Sequence, residues 1–366
     1  MRVIFAGGGT GGHINPAISI ADYAKKHEEE FEALFIGTQR GLETRLVPKA
    51  GYNIKYIDVE GFDRKHLMKN FKIAAKLMKA QREMRQIIKE FKPDCIVCTG
   101  GYVSGPVTMA AGKLGVPALI HEQNVYPGLT VKGSEKYVKY LALSFDETVN
   151  EMKHKEKCVV TGNPIREEIL NADYAKSRER LGITRPFVLI FGGSLGAQRI
   201  NSTVTQIFEK FIKDDKVDLL FGTGNRNYDA VMSRLRELGV KPNEHVRVVP
   251  YIDNMAECMA AADVVVARSG AITVSEIAAM GRPSILIPSP NVVRNHQEQN
   301  AREFEKNGAA AVITEKELTP ELLYERINEL IGDKAKRDEM SANLKKMAKT
   351  DALEELYRLM LDMSAK

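Results

Sequence analysis

The chain has 366 residues, 44% of them hydrophobic and 28% charged, which is enough apolar material for the cores of two ordinary domains. A net charge of +5 is modest for this length, and no nucleic-acid partner is expected. No apolar run approaches the roughly 18 residues that span a bilayer. The N-terminus enters a strand at once, so no secretory leader is expected. Four cysteines in so long a chain do not make a disulfide framework.

The opening stretch, Arg2 to Pro16, sets the theme. Val3 to Ala6 is a short apolar run that predicts a buried strand. Gly7-Gly8-Gly9-Thr10-Gly11-Gly12 then makes a turn, and Asn15 and Pro16 suit the N-cap and first residue of a helix over 16–26. Strand, glycine turn and helix expose backbone N–H groups where diphosphates bind. His13 adds a titratable side chain on the lip of that anion site. Gly7-x-Gly9-x-x-Gly12 also fits the dinucleotide fingerprint, which wants an acid at the end of the second strand. That strand runs into Gly37-Thr38-Gln39-Arg40 instead, and no Gly-Lys-Ser/Thr follows the glycines, so neither a nicotinamide enzyme nor a P-loop nucleotidase is favoured.

Further strands are predicted at 33–37, 54–57, 94–99, 116–121, 141–144 and 158–161, with helices at 41–47, 71–91, 105–114 and 128–137. This β/α alternation implies a mostly parallel sheet with its ligands outside the carboxyl ends of the strands. Cys95 and Cys98 fall within one strand, three apart and so on opposite faces, and read as buried rather than as a redox or metal pair. Residues 62–92 carry ten Lys/Arg against three Asp/Glu. Most apolar residues there recur at helical spacing and belong to a core. Leu67, Met68 and Phe71, set among Arg64, Lys65, Lys69 and Lys72, instead suit an anionic membrane surface. Two more loops fall at strand ends. Gly100-Gly101-Tyr102-Val103-Ser104-Gly105-Pro106 is a second glycine turn, and His121-Glu122-Gln123-Asn124 is an all-polar cluster whose packing value is low enough to favour function.

Thr161-Gly162-Asn163-Pro164-Ile165-Arg166 reads as a hinge. Beyond it the opening pattern returns in Phe187 to Ala197, and strands follow at 217–221, 246–249, 263–267, 284–288 and 310–313. From Asp333 onward the pattern is purely helical, an appendage able to cross back to the first domain. The most specific run is Ala262 to Ala278. A buried strand ends at Arg268, Ser269-Gly270 turns the chain, and a helix starts at Ala271 with its N–H groups open to a diphosphate. Glu276 on the second helical turn can accept from both ribose hydroxyls.

That run, the glycine opening, His121 to Asn124, Gly100 to Pro106 and Gly162 to Arg166 together closely resemble the MurG family. These are peripheral membrane glycosyltransferases that add N-acetylglucosamine to undecaprenyl-diphospho-N-acetylmuramoyl-peptide in peptidoglycan synthesis, and the resemblance covers the whole length. It implies an α/β fold of GT-B type, two Rossmann-like domains facing a cleft. The expected division is 1–162 for acceptor and membrane, 163–340 for the UDP-sugar, and 341–366 as a helix returning to the first domain. By matching motif, Thr10, Gly11, Gly12, Asn124, Arg166, Ser194, Ile252, Ala271, Ile272, Thr273, Val274, Ser275, Glu276 and Gln297 would contact UDP-N-acetylglucosamine. Gly8, Gly9, Gly101, Tyr102 and Ser104 would contact the lipid-diphosphate acceptor. The patch at Leu67, Met68 and Phe71 would meet the cytoplasmic face of the cell membrane.

The expected chemistry is a single in-line displacement with inversion, which needs a base but no nucleophilic residue. His13, of a type with an ordinary pKa of about 6.5, is the favoured base, and Glu122 is its rival if burial raises its pKa. No Asp-x-Asp occurs in the chain, so no metal cofactor is expected, and helix N-termini with glycine-loop amides would stabilise departing UDP. Three other readings are a transferase to another lipid such as diacylglycerol, a UDP-sugar epimerase of similar fold, and a non-catalytic nucleotide-binding regulator.

Overall fold

The computed structural model describes residues 1–60, 67–193 and 196–365, with side chains from 76 onward in the stretch that begins at 67. The chain forms two compact units, Met1–Pro164 with Lys349–Lys366, and Ile165–Ala348.

In the first unit the strands are β1 (Arg2–Gly7), β2 (Glu32–Gly37), β3 (Asn53–Tyr56), β4 (Cys95–Gly100), β5 (Ala118–Glu122), β6 (Tyr140–Leu143) and β7 (Cys158–Val160). They pair in parallel in the order β3-β2-β1-β4-β5-β6-β7. Helices α1 (Gly11–His27), α2 (Glu43–Lys49), α3 (Leu67–Phe91), α4 (Ser104–Leu114) and α5 (Leu129–Ser134) supply the crossovers. Alternation along β1 and β4 feeds two cores, one on each face of the sheet. Ile4, Ala6, Ile96 and Cys98 pack with Met84, Val107 and Ala110. Val3, Phe5, Cys95 and Val97 pack with Ile14, Ala17 and Ile20. The two cysteines thus lie on opposite faces, both free and buried.

The second unit repeats the plan. Its strands are β8 (Phe187–Phe191), β9 (Asp218–Gly222), β10 (Val246–Val249), β11 (Val264–Ala267), β12 (Ser284–Leu286) and β13 (Ala311–Val312), in the parallel order β10-β9-β8-β11-β12-β13. Its helices begin with α6 (Glu167–Leu170), α7 (Tyr174–Leu181), α8 (Gln198–Asp214), α9 (Tyr228–Glu237) and α10 (Met255–Ala261). They continue with α11 (Ala271–Met280), α12 (His296–Lys306), α13 (Pro320–Gly332) and α14 (Lys334–Met347). The last helix, α15 (Ala352–Ser364), belongs to the first unit, where Leu356, Met360 and Met363 join the core beside α1.

Two helix starts differ from the sequence reading by four residues or more. α1 begins at Gly11, so Asn15 and Pro16 lie inside it and do not start it. Thr10, extended at φ −128° and ψ 156°, is the N-cap, and its carbonyl accepts from the amides of His13 and Ile14 at 3.1 and 3.2 Å. Pro16 has no N–H for the Gly12 carbonyl, a single forgone bond that the buried face of α1 outweighs. α3 begins at Leu67, four residues earlier than its apolar periodicity suggests, because neither glycine nor proline interrupts 67–71.

Candidate functional site

Both strand orders contain a switch point where successive strands step off in opposite directions, and ligands in such sheets bind outside the carboxyl ends there. In the first unit it lies between β1 and β4, so the loops after these strands, Gly8–Thr10 and Gly101–Val103, meet at one edge. Their contact requires glycine. Gly101 has φ +78°, and a Cβ on it would stand 2.5 Å from the Gly8 carbonyl oxygen. Gly100 has φ +102°, and a Cβ there would stand 2.8 Å from Cδ2 of His13.

His13 is half-buried on the first turn of α1. Its Nδ1 lies 3.1 Å from the Gly8 carbonyl oxygen, which can only accept, so Nδ1 carries the proton and Nε2 the lone pair in the neutral ring. Thr99 Oγ1 donates to the His13 carbonyl at 2.7 Å and pins this turn to β4. No side chain caps α1, and its first turn holds no acid, so the macrodipole favours an anion there. Thr10 and Tyr102 are exposed, Tyr102 to 61%. Ser104 is fully buried instead: it accepts from the Gly100 amide at 3.1 Å and donates to the Gly100 carbonyl at 2.8 Å, so its hydroxyl shapes the loop.

The polar run does not wait for the loop: His121 and Glu122 are the last two residues of β5, paired with β6, and the run is largely turned inward. His121 is buried, with Nε2 donating to the Gly162 carbonyl at 2.9 Å and Nδ1 accepting from Gln123 Nε2 at 2.9 Å. Burial lowers its pKa to about 4, so the ring is neutral near pH 7. Gln123 also donates to the Thr99 carbonyl at 2.9 Å, and Asn163 Nδ2 donates to the Gln123 carbonyl at 3.0 Å. Glu122 is buried as well. Its Oε1 accepts from the amide and side chain of Asn124 at 2.9 and 3.1 Å, and its Oε2 from the Gly128 amide at 2.8 Å. Burial pushes its pKa up despite these three donors.

One residue the sequence reading missed belongs here. Glu43, at the start of α2, is fully buried under the glycine loop. Its Oε2 accepts from the Gly9 amide at 3.0 Å, and its Oε1 from the amide and hydroxyl of Thr38 at 2.9 and 2.8 Å. Burial alone would raise its pKa, but the Thr38 and Gly9 donors hold it below the usual carboxylate range. This acid stands six residues past β2 and holds the glycine loop, a different task from the ribose contact of the fingerprint's acid.

In the second unit the switch point lies between β8 and β11, which puts the glycine turn after β8 beside the N-terminus of α11. Gly270 is the N-cap of α11, with no side-chain cap and no acid in the first turn, so the amides of Ala271, Ile272 and Thr273 begin the helix uncapped. Glu276 follows on the second turn, 6% exposed, and Arg166 Nε donates to its Oε1 at 3.0 Å. Burial raises the Glu276 pKa, and the neighbouring guanidinium opposes that rise. Gln297 Oε1 accepts from the Ser289 amide at 2.9 Å, and Ser269 Oγ donates to the Gln297 carbonyl at 2.7 Å, which locks α12 to the β11 loop. Ile252 is buried against Gly222, where a Cβ would stand 2.7 Å from its Cδ1. Ser194 and the side chains of Leu67, Met68 and Phe71 lie outside the described residues. Among the described residues, no helix is long and apolar enough to cross a membrane, and no cluster of three or more His, Cys, Asp or Glu could hold a metal ion.

Two parallel sheets with glycine turns at both switch points make up the GT-B fold, and the matches that follow define the class within it, a glycosyltransferase. Residues 3–143 match the Glycosyltransferase family 28 N-terminal domain, and residues 187–356 its C-terminal domain. The chain is 48% identical, over 99% of its length and 98% of the relative's, to the UDP-N-acetylglucosamine--N-acetylmuramyl-(pentapeptide) pyrophosphoryl-undecaprenol N-acetylglucosamine transferase of Acetivibrio thermocellus. The crystal structure of Acinetobacter baumannii MurG superposes with a TM-score of 0.81 at 28% identity, covering 99% of both chains. A UDP-GlcNAc 2-epimerase from Neisseria meningitidis, bound to UDP-GlcNAc, shares the fold alone, with a TM-score of 0.67 at 14% identity over 99% of this chain and 100% of that one. The chain belongs to glycosyltransferase family 28 and, within it, to the MurG family.

Proposed function

We propose that this chain transfers N-acetylglucosamine from UDP-N-acetylglucosamine to the C4 hydroxyl of undecaprenyl-diphospho-N-acetylmuramoyl-pentapeptide, with inversion. The observation that carries the reading is the 48% identity, over 99% of the chain, to the Acetivibrio thermocellus transferase whose name states that reaction. The second unit takes the nucleotide: the uncapped α11 amides of Ala271 to Thr273 receive the diphosphate, Glu276 the ribose hydroxyls, the Ile252 backbone the uracil, and Gln297 the sugar. Arg166, whose Nε donates to Glu276 Oε1 at 3.0 Å, contacts the same nucleotide.

In the first unit the glycine loop with Gly101 and Tyr102 receives the acceptor. His13 takes the hydroxyl proton on Nε2, the nitrogen its bond to Gly8 leaves with the lone pair. Glu122, with both oxygens engaged by Asn124 and Gly128, shapes the 123–128 loop and leaves the proton transfer to His13. Leaving-group charge falls on preorganised amides, the electrostatic form of catalysis. The reading includes peripheral attachment to an anionic membrane through the basic-flanked Leu67, Met68 and Phe71, expected to weaken with added salt.

Labelled UDP-N-acetylglucosamine supplied with and without the lipid-diphosphate-muramoyl acceptor tests the proposal. The expected product is the β-linked disaccharide lipid, formed only with that acceptor. Epimerised donor in the acceptor-free arm, or transfer to diacylglycerol in its place, would overturn it.

A further inference from the structure

Glu43 is a buried carboxylate in a space that glycines create. A Cβ on Gly8 would stand 2.9 Å from its Oε1, one on Gly37 2.6 Å from its Cγ, and one on Gly41 inside contact distance of Oε2. Gly8 therefore serves the carboxylate as well as any ligand. Among the described residues no Lys, Arg or His pairs with Glu43, and Gly9 and Thr38 donate to its carboxylate beside its own backbone amide. A buried charge without a cation is costly unless its hydrogen bonds are good, and here the carboxylate accepts three at 2.8 to 3.0 Å.

The consequence lies in the direction of the loop. Gly9 has φ +87°, and its N–H turns inward to Glu43. The chain then leaves Gly9 for an uncapped helix N-terminus at Thr10. A carboxylate suits this task because it accepts only, and so fixes N–H groups without offering a donor that could enter the loop. We propose that Glu43 is a positioning residue for the transfer reaction: by holding the Gly9 amide and Thr38 it sets the shape in which the glycine loop receives the acceptor's diphosphate.

This rests on the function proposed above, and its test separates the two. Glu43→Gln can keep the Thr38 bonds through its carbonyl oxygen, but it then faces the Gly9 N–H with a second donor, so the loop is released while volume is kept. With a short-chain lipid-diphosphate-muramoyl acceptor, Glu43→Gln and Glu43→Ala should both raise the acceptor KM about tenfold, in keeping with a lost bond to a charged group. UDP affinity by calorimetry, which reads the second unit, should stay at the wild-type value in both. Wild-type acceptor KM in Glu43→Gln would overturn the proposal, as would a raised KM accompanied by lost hydrogen-exchange protection of the β1 and β4 amides, the sign of an unfolded first unit. If the wild-type chain transfers nothing to this acceptor, the assigned reaction fails instead. Direct binding of the short-chain lipid diphosphate then still reads the loop, and equal affinity in wild type and Glu43→Gln overturns the role of Glu43.

Discussion

Single side chains carry three expectations. Glu276 is proposed to accept from the ribose hydroxyls, so Glu276→Ala should weaken UDP binding by roughly 1.5–3 kcal/mol, the range for hydrogen bonds to a charged group. Calorimetry on the folded variant checks this, and unchanged affinity would remove the residue from the nucleotide site. His13→Ala should slow single turnover by about 10²–10⁴-fold with both substrates saturating, as expected for a lost general base. A variant with only a raised acceptor KM would mean that His13 binds and does not take the proton. His121 gives a pH dependence of known sign. Its folded pKa of about 4 lies below the ordinary histidine value, so between pH 6.5 and 4 the unfolded chain binds the proton more readily. Stability of the first unit is full above pH 6.5 and falls as pH drops through that window, by about 3 kcal/mol from this group. Hydrogen exchange of β5 amides across the window should follow that loss in wild type and lose the one-proton slope in His121→Asn.

At the scale of elements, the glycine loops make a graded prediction. Gly9 and Gly101 both have positive φ, but a Cβ on Gly9 meets nothing within 4 Å, while one on Gly101 would collide with the Gly8 backbone. Gly9→Ala should cost on the order of 1–3 kcal/mol from its backbone conformation alone. Gly101→Ala should cost more than Gly9→Ala and should also raise the acceptor KM, because it forces the two loops apart. Equal melting temperatures for the two variants would contradict the contact. These loops also show what a sequence can disclose. The strands were legible because their apolar runs are short and bounded, and the α11 run because the Ser269-Gly270 turn is followed by an acid on the second helical turn. The role of Glu43 was not, since an acid in a first helical turn looks like any other until the fold puts three glycines around it. The run His121 to Asn124 was legible as important but not as structural, because nothing in its spacing tells that three of its side chains face inward.

On the scale of the whole molecule, the path of the chain matters most. It leaves the first unit at Pro164 and returns at Lys349 to lay α15 against that unit's core. Until α15 is in place, the surface of β1, α1 and β4 that receives Leu356, Met360 and Met363 is uncovered. The second unit is built from one continuous segment and has no such dependence. Leu356 and Met360 are both fully buried, and each truncation to alanine should cost about 2–5 kcal/mol. They stand one helical turn apart in one core, so the two costs need not add. The double variant should therefore lose much of the first unit's stability, against the roughly 5–15 kcal/mol typical of a folded domain. Because two units need not unfold together, a single melting temperature would blur the effect, and hydrogen exchange resolved by segment is the better measure. Amides of β1 and β4 should lose protection in Leu356→Ala/Met360→Ala, while those of β8 and β11 keep theirs and UDP still binds. Equal loss of protection in both units would show that they fold as one cooperative block, and that α15 closes more than the unit it touches.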